Sequence, residues 1–229
     1  MASGRIQGER VLVVGATGLV GQQALRQLVA DPAVAEIRAL VRRPCTPRQL
    51  LGGEAEHTVG FDKMRVYVTD FDRLAERASW FDVDTVFCAL GTTIRQAGSR
   101  AAFRRVDFDY PLQIAQMAKA QGARRFLLVS AVGASARSRV FYNRVKGELE
   151  DAIRGLGFEH VSVAQPSLLA GERAEVRLGE RLALKLGFLM PQPYKPVGVA
   201  QVATGLLQSG RQGRIGWHVL SNTALRGMR

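Results

Sequence analysis

Residues 11 to 21 read Val11-Leu-Val-Val-Gly15-Ala-Thr-Gly18-Leu-Val-Gly21, and this stretch decides the fold. Its first four residues, apolar and mostly β-branched, predict a short buried strand of a parallel sheet. Three glycines follow in G-x-x-G-x-x-G spacing, and helical spacing then continues to Val29. Glycine permits a tight turn and lets backbone amides approach a pyrophosphate, which the positive end of a helix favours. Because strand, turn and helix occur in this order, the stretch favours dinucleotide binding over a purely structural turn.

The composition is that of an ordinary globular protein. Of the 229 residues, 47% are hydrophobic and 23% are charged, which is enough for one large domain with a sizeable core. We expect residues 1–229 to form a single domain, with residues from about 167 to 229 as a substrate-side appendage. No apolar run is long enough for a bilayer and the first ten residues lack a signal core, so the sequence predicts no membrane association and a cytoplasmic location.

The formal net charge of +12 does not by itself indicate nucleic-acid binding. A nucleic-acid-binding protein is expected to have a basic tail or one dense cluster. The arginines of this chain are scattered and occur in pairs at most, which favours a solvated basic surface and argues against a nucleic-acid partner. The two cysteines and three histidines have no spacing typical of a disulfide or a metal site, so no metal is expected.

Strand and helix patterns alternate along most of the chain. Further strands are predicted over residues 36–41, 64–68, 84–90, 125–130 and 160–165, and helices over 73–78, 103–121 and 140–155. Pro111 predicts either a kink within the second of these helices or the restart of a helix. The later residues predict helices over 175–188 and 199–207 and a last strand over 215–220. This alternation is typical of an α/β fold with a Rossmann-like doubly wound parallel sheet.

The end of the second strand bears on the choice of cofactor. A site that prefers NAD places an acidic residue about 20 residues beyond the glycine motif, where it binds the ribose 2′-hydroxyl. Counting from Gly21 reaches Val41, and the next residues are Arg42 and Arg43. Guanidinium groups form charge-assisted hydrogen bonds with phosphate, so this position favours NADP(H) over NAD(H). The alternative is a pair of surface arginines with no ligand.

Two other strand ends supply candidate contacts with a dinucleotide. Asp70 and Phe71 follow the third strand, where Asp70 could contact an adenine amino group or could cap the next helix. Ala89, Leu90, Gly91 and Thr92 follow the fourth strand, and small residues there would let a ribose lie across the backbone.

Ser130, Tyr142 and Lys146 are the candidate catalytic residues. A phenol ionises near pH ~10 in water, and a neighbouring ammonium favours the phenolate. Tyr142 and Lys146 are four residues apart on a predicted helix, so they project from one side of it. Ser130 ends the fifth strand, where its hydroxyl could donate to a carbonyl group under reduction.

The chain resembles the short-chain dehydrogenase/reductase superfamily in its atypical NAD(P)-binding branch, and is most similar to the Tat-interacting oxidoreductases and their bacterial relatives. The likeness runs from about residue 10 to residue 187. It rests on six motifs: Val11-Leu-Val-Val-Gly-Ala-Thr-Gly18, Val41-Arg-Arg43, Leu90-Gly-Thr-Thr93, Arg105-Val-Asp107, Phe141-Tyr-Asn-Arg-Val-Lys-Gly-Glu148 and Gln165-Pro-Ser-Leu-Leu169.

The resemblance implies a Rossmann fold, an NADP cofactor and the catalytic roles given above. It also implies that Leu90 and Gly91 lie along the cofactor and that residues 166–169 line its nicotinamide side. The expected cofactor-binding residues are Gly15, Thr17, Gly18, Leu19, Val20, Gly21, Arg42, Arg43, Asp70, Phe71, Ala89, Leu90, Gly91, Thr92, Tyr142, Lys146, Pro166, Ser167, Leu168 and Leu169.

Two departures from the family pattern leave alternatives open. Asp107 stands where the superfamily has an asparagine that takes part in proton relay. The loop after the fifth strand contains Ser135 and Ser138, either of which could take the role of Ser130.

We therefore expect an NADPH-dependent oxidoreductase that acts on a small carbonyl compound, with Tyr142 as acid and base. The alternative is an NADPH-sensing regulatory protein with little turnover. Both hypotheses are compatible with a protein partner or a homo-oligomer.

Overall fold

A computed structural model describes residues 8–52, 60–170 and 191–228. Seven strands form a parallel sheet in the order β3-β2-β1-β4-β5-β6-β9, and β7 pairs with β8 in a separate two-stranded sheet. The strands are β1 Glu9–Val14, β2 Val34–Val41, β3 Met64–Val68, β4 Thr85–Cys88, β5 Arg125–Val129, β6 His160–Gln165, β7 Leu169–Ala170, β8 Val197–Gly198 and β9 Gly216–Ser221. This order confirms the predicted Rossmann-like fold.

Helices cover both faces of the large sheet. They are α1 Leu19–Ala30, α2 Pro47–Leu51, α3 Ile94–Ala97, α4 Arg100–Arg104, α5 Tyr110–Ala120, α6 Phe141–Arg154, α7 Val199–Arg211 and α8 Asn222–Arg226. A π turn, Arg105–Asp109, joins α4 to α5, and 3-10 segments occupy Phe61–Lys63, Phe71–Phe81 and Gln192–Tyr194. No helix within the described ranges is both long and apolar enough to cross a membrane.

The apolar run of β1 is continuous because both of its faces are buried. Val11 and Val13 pack in one cluster with α1 and α7, while Leu12 and Val14 pack in a second cluster with α5 and α6. Successive side chains of a strand point to opposite faces, so a strand between two helical layers needs apolar residues at every position.

The position of the cofactor crevice follows from the strand order. β1 pairs with β2 on one side and with β4 on the other, and the chain changes direction across the sheet at this point. In open parallel sheets ligands bind in the crevice outside the carboxyl ends of the strands at such a switch point. The glycine turn between β1 and α1 lies at this crevice.

The structure differs from the expected helix over residues 103–121. Helical structure already begins at Arg100, and a π turn precedes Pro111, so of the two expected outcomes the structure shows a restart at α5 and not a kink at the proline. Proline cannot donate a hydrogen bond, and its ring crowds the carbonyl four residues earlier, which here belongs to Asp107. The wider π turn gives this carbonyl room, and Pro111 then lies in the first turn of α5.

Two other predicted helices have different outcomes. The segment expected as a helix over residues 73–78 is a 3-10 segment, Phe71–Phe81, with non-helical dihedral angles at Arg73 and Arg77. The helix expected over residues 175–188 lies outside the described residues.

His160 begins β6 and is buried in a polar network at the amino end of this strand. Its Nδ1 donates to the carbonyl oxygen of Arg214, and its Nε2 lies 2.7 Å from the hydroxyl of Ser162. The ring of His218 stacks on it at 4.9 Å. Burial lowers the pKa of His160, the hydrogen bond to the Arg214 carbonyl opposes this shift, and the charges of His218, Arg125 and Arg214 add to the lowering. The neutral imidazole is therefore the form that the fold accepts.

We expect the free energy of unfolding to decrease as the pH falls below about 6.5. The histidine of the unfolded chain takes up a proton there, whereas the lowered pKa of His160 makes the folded protein resist protonation. The unfolded state then binds more protons, so acid favours it. Denaturant unfolding across this pH range will measure the effect. His160→Gln should flatten the slope, and an unchanged slope in that variant would contradict the assignment.

Candidate active site

The glycine turn has two glycines that the backbone packing requires and a third that faces the cleft. Gly15 has a φ of +81°, and a Cβ there would lie 2.4 Å from the carbonyl oxygen of Ala89. A Cβ on Gly21 would lie 2.2 Å from the carbonyl oxygen of Gly15. Gly18 has ordinary extended dihedral angles and lines the cleft as the N-cap of α1. The turn therefore brings backbone close to the cleft, as a pyrophosphate site needs.

Helix α1 presents its N-terminus to the same cleft. It has twelve residues, no acidic residue in its first turn and no side chain that caps it. The first amide groups of such a helix lack intrahelical partners and carry a partial positive charge. This end of the helix can therefore accept an anionic group.

A cleft of about 540 Å³ opens above the carboxyl ends of the central strands. This volume is typical of small-molecule sites. The cleft is lined by Gly15, Thr17, Gly18, Leu40, Val41, Arg42, Phe71, Ala89, Leu90, Gly91, Thr92, Gln96, Ala97, Ala102, Val106 and Tyr110.

Several of the expected cofactor-binding residues lie off the wall of this cleft. Arg42 lines it, whereas the next residue, Arg43, does not. The carboxylate of Asp70 accepts from the backbone N–H of Asp72 at 3.0 Å, so it caps the 3-10 segment. Nine further expected residues also lie off this wall. They are Leu19, Val20 and Gly21 in the first turn of α1, Tyr142 and Lys146 of α6, and Pro166, Ser167, Leu168 and Leu169 after β6.

Lys146 forms a buried ion pair beneath the cleft wall. Its Nζ lies 2.8 Å from Oδ1 of Asp107, and neither side chain is more than 4% exposed. The other carboxylate oxygen of Asp107 accepts from the backbone N–H of Thr92 at 2.9 Å. A Cβ on Gly91 would lie 3.7 Å from the Lys146 Nζ, so the pair sits directly under the cleft residues Gly91 and Thr92.

The surroundings of Lys146 keep it charged. Burial lowers the pKa of Lys146, but the attraction of Asp107 and its hydrogen bond outweigh burial and leave the pKa of Lys146 above its ordinary value. Tyr142 lies one turn earlier on the same face of α6 and favours the ammonium form as well. The ring of Tyr142 packs against Phe103 at 5.4 Å, which ties α6 to α4. The structure therefore brings Tyr142, Lys146 and Asp107 together.

Ser130 is not part of this cluster. Its hydroxyl donates to the buried carboxylate of Glu150, which also accepts from the side-chain amide of Gln165 at 3.1 Å. Glu150 lies eight residues beyond Tyr142 on α6, a rise of about 12 Å. Burial raises the pKa of Glu150, while its two hydrogen bonds oppose the shift.

The two alternative serines have structural roles in the loop after β5. The hydroxyl of Ser135 accepts from the backbone N–H of Arg137 at 3.3 Å. The hydroxyl of Ser138 accepts from the backbone N–H of Val140 at 3.2 Å, just before α6 begins.

Sequence reasoning missed two groups of residues. Asn222 is buried, accepts from the N–H of Ser167 at 2.9 Å and donates to the carbonyl of Lys195 at 2.8 Å, so it fixes the turn after β6. A lone asparagine far along the chain gives no signal of this role. The other group is the part of the cleft wall that runs from α3 to α5. This segment follows the fourth strand, and that position could have indicated its place at the cleft. Its lining residues are Gln96, Ala97, Ala102, Val106 and Tyr110.

The fold, the glycine turn and the cleft define a Rossmann-type dinucleotide-binding protein. A family model described as NAD(P)H-binding matches residues 15–206, and the chain belongs to this family. Protein HTATIP2 of Rattus norvegicus is 36% identical over 191 residues, which cover 83% of this chain and 75% of the relative. Mitochondrial protein fmp52 of Emericella nidulans is 36% identical over 176 residues, 76% of this chain and 72% of the relative. The resemblance to Tat-interacting relatives is thereby confirmed.

A solved structure agrees on the fold. The UDP-Glc/GlcNAc 4-epimerase of Campylobacter jejuni superposes with a TM-score of 0.70, covering 96% of this chain and 82% of the epimerase. Its sequence identity is 13%, so this likeness concerns the fold alone.

The predicted cytoplasmic location is contradicted by the relatives. Fungal relatives between 30% and 36% identical are named as mitochondrial proteins. The prediction rested on the lack of an apolar signal core in the first ten residues, and mitochondrial targeting does not depend on such a core.

Proposed function

We propose that this protein is an NADPH-dependent oxidoreductase of the short-chain dehydrogenase type that reduces a small carbonyl compound. The observation that carries the proposal is the Lys146–Asp107 ion pair directly beneath Gly91 and Thr92 of the dinucleotide cleft, with Tyr142 one turn away. A buried ammonium beside a phenol under a nucleotide site is suited to proton transfer.

The residues of the cleft fit a dinucleotide. Gly15, Thr17 and Gly18 would hold the pyrophosphate at the N-terminus of α1, because the turn leaves its backbone open there. Leu90 to Thr92 would lie along the ribose on the nicotinamide side. Arg42 would bind a 2′-phosphate, since it is the charged residue that lines the cleft at the end of β2.

Each of the clustered side chains has a role in the reaction. NADPH, when bound, supplies the hydride that reduces the carbonyl carbon. Tyr142 donates its proton to the oxygen, which completes the alcohol and leaves a phenolate. Lys146 stabilises this phenolate by its positive charge, and Asp107 keeps Lys146 protonated and fixed in place.

A second function is an NADPH-sensing binding protein with little turnover. It is favoured by one observation, the hydrogen bond from Ser130 to Glu150. Because of this bond, the Ser130 hydroxyl already donates to Glu150 and does not donate to a carbonyl group of a substrate. A reductase without such a donor loses part of its transition-state stabilisation.

A screen of carbonyl compounds separates the two functions. Protein saturated with NADPH is mixed with each compound, and NADPH oxidation is followed in a single turnover. Oxidation that depends on the carbonyl compound supports the reductase. NADPH binding with no oxidation across aldehydes, ketones and quinones supports the sensor.

We expect NADPH to bind more tightly than NADH, and Arg42→Ala to abolish this preference. Loss of a charge-assisted hydrogen bond to the 2′-phosphate costs about 1.5–3 kcal/mol, or roughly 10- to 150-fold in affinity. The neighbouring variant Arg43→Ala is a matched control, because Arg43 carries the same charge off the cleft wall. Calorimetric titration of both cofactors will measure the change. Equal affinities in the unmodified protein would refute the preference.

A further inference from the structure

Two segments beside the proposed reaction site are rich in arginine and contain no aspartate or glutamate. Residues 92–106 lead from the end of β4 through α3 and α4 into the π turn, and they include four arginines. Residues 131–147 form the loop after β5 and the start of α6, and they include three arginines. The first segment supplies part of the cleft wall, and the second carries Tyr142. Positive charge of this kind beside a cleft attracts anionic ligands.

Arg100 of α4 lies close to Tyr142. Its guanidinium carbon is 5.1 Å from the centre of the Phe141 ring, and Phe141 directly precedes Tyr142 in α6. The rings of Phe141 and Tyr142 both pack on Phe103, with centroid distances of 5.7 and 5.4 Å. Phe103 follows Arg100 by three residues, so both side chains project from one side of α4. Arg100 therefore reaches from α4 to the start of α6, beside the proposed acid.

The charge of Arg100 is not neutralised by a neighbouring carboxylate. Glu148 of α6 already forms an ion pair with Arg104, and its other oxygen lies 3.9 Å from Nε of Arg144. Among the residues that the structure describes, no carboxylate lies within ion-pair distance of Arg100. Arg100 is exposed, and its contact with the face of Phe141 holds the guanidinium in place. The N–H groups of Arg100 are therefore available to an anionic ligand.

We propose that the substrate is a carbonyl compound with an anionic group, and that Arg100 binds this group beside Tyr142. The inference rests on the proposed function and deepens it by naming the class of substrate. A guanidinium forms two parallel hydrogen bonds with a carboxylate or a phosphate, so it fixes the orientation of the ligand as well as attracting its charge. With the anionic group held at Arg100, the carbonyl group of the same molecule can face Tyr142.

The test compares 4-carboxybenzaldehyde, which is an anion at neutral pH, with its neutral methyl ester. Calorimetry measures the binding of each compound to the full chain saturated with NADP⁺, so that no reduction accompanies binding. Reduction with NADPH then gives kcat and KM for both compounds. Arg100→Gln removes the guanidinium and keeps a polar side chain. Arg77→Gln is the matched control, because the guanidinium carbon of Arg77 also lies over an aromatic ring, 5.4 Å from the centre of Trp80, and Arg77 is not part of the cleft wall. Both variants lower the net charge of +12 by one, so a general attraction of anions changes equally in the two.

We expect the unmodified protein to bind the acid about 10-fold more tightly than the ester at low ionic strength. Arg100→Gln should reduce this preference to about threefold or less, through KM and with kcat within about twofold, whereas Arg77→Gln should keep it. Equal affinities of acid and ester, or the same preference in both variants, would overturn the inference and leave the proposed function intact. Failure of both compounds to bind would also overturn it. Selective binding of the acid without reduction of either compound would support the anion site at Arg100 and count against the reductase.

Discussion

Tyr142→Phe is expected to slow carbonyl reduction by about 10²–10⁴-fold while leaving NADPH affinity nearly unchanged. The substitution removes one hydroxyl and keeps the ring that packs on Phe103 at 5.4 Å. If Tyr142 donates the proton to the nascent alcohol, the chemical step loses its acid and binding loses almost nothing. A loss confined to the chemical step is the sign of an interaction made in the transition state.

The measurement is single-turnover oxidation of NADPH with the best carbonyl compound from the screen, beside a binding titration. Tyr194→Phe serves as the control, because Tyr194 is half exposed in the segment after residue 190. Turnover of Tyr142→Phe at the rate of the unmodified protein would show that the catalytic assignment is wrong. A screen without any active carbonyl compound would shift the weight to the NADPH-sensing function.

The strands of the large sheet could be predicted because each of them carries its own local signal. Buried parallel strands need apolar residues at successive positions, and the glycine turn requires glycine where Gly15 and Gly21 pack against backbone atoms. These requirements act within a few residues of the chain, so they can be read from the sequence.

The partner of Ser130 could not be predicted in the same way. Ser130 continues the alternation of β5 and falls on the side of Phe126 and Leu128, which pack towards α5 and α6. Only the docking of α6 decides that Glu150 meets this hydroxyl. The position of Ser130 at the end of its strand therefore did not indicate which group its hydroxyl contacts.

The choice between Arg42 and Arg43 is also a tertiary effect. The sequence offers two equal guanidinium groups at the end of β2. Both residues follow the end of β2 in a bend, and in the structure Arg42 lines the cleft whereas Arg43 does not. Likewise, Pro111 indicated an irregularity in this helix, but the burial of the Asp107 side chain follows from the π turn and the packing around it.

Lys146→Met is expected to destabilise the fold by about 3–5 kcal/mol and to weaken NADPH binding. The substitution leaves the carboxylate of Asp107 buried without its cation, and Asp107 is 0% exposed. An uncompensated buried charge costs more than a missing contact. Because Lys146 lies beneath Gly91, the loss should also remove a group that the nicotinamide ribose would contact.

A double-mutant cycle separates these effects. In the pair Asp107→Asn and Lys146→Met, the uncompensated charge is gone, so the double variant should be more stable than Lys146→Met alone. Asp109→Asn is the matched control, since it removes an exposed carboxylate from the same π turn and should change stability little. Urea unfolding gives the coupling energy, and NADPH titration of the double variant gives the binding term. If the double variant regains stability but still binds NADPH weakly, Lys146 contacts the ligand, because a destabilised fold no longer explains the lower NADPH affinity. Additive destabilisation in the cycle would instead mean that the ion pair contributes no coupling to the fold.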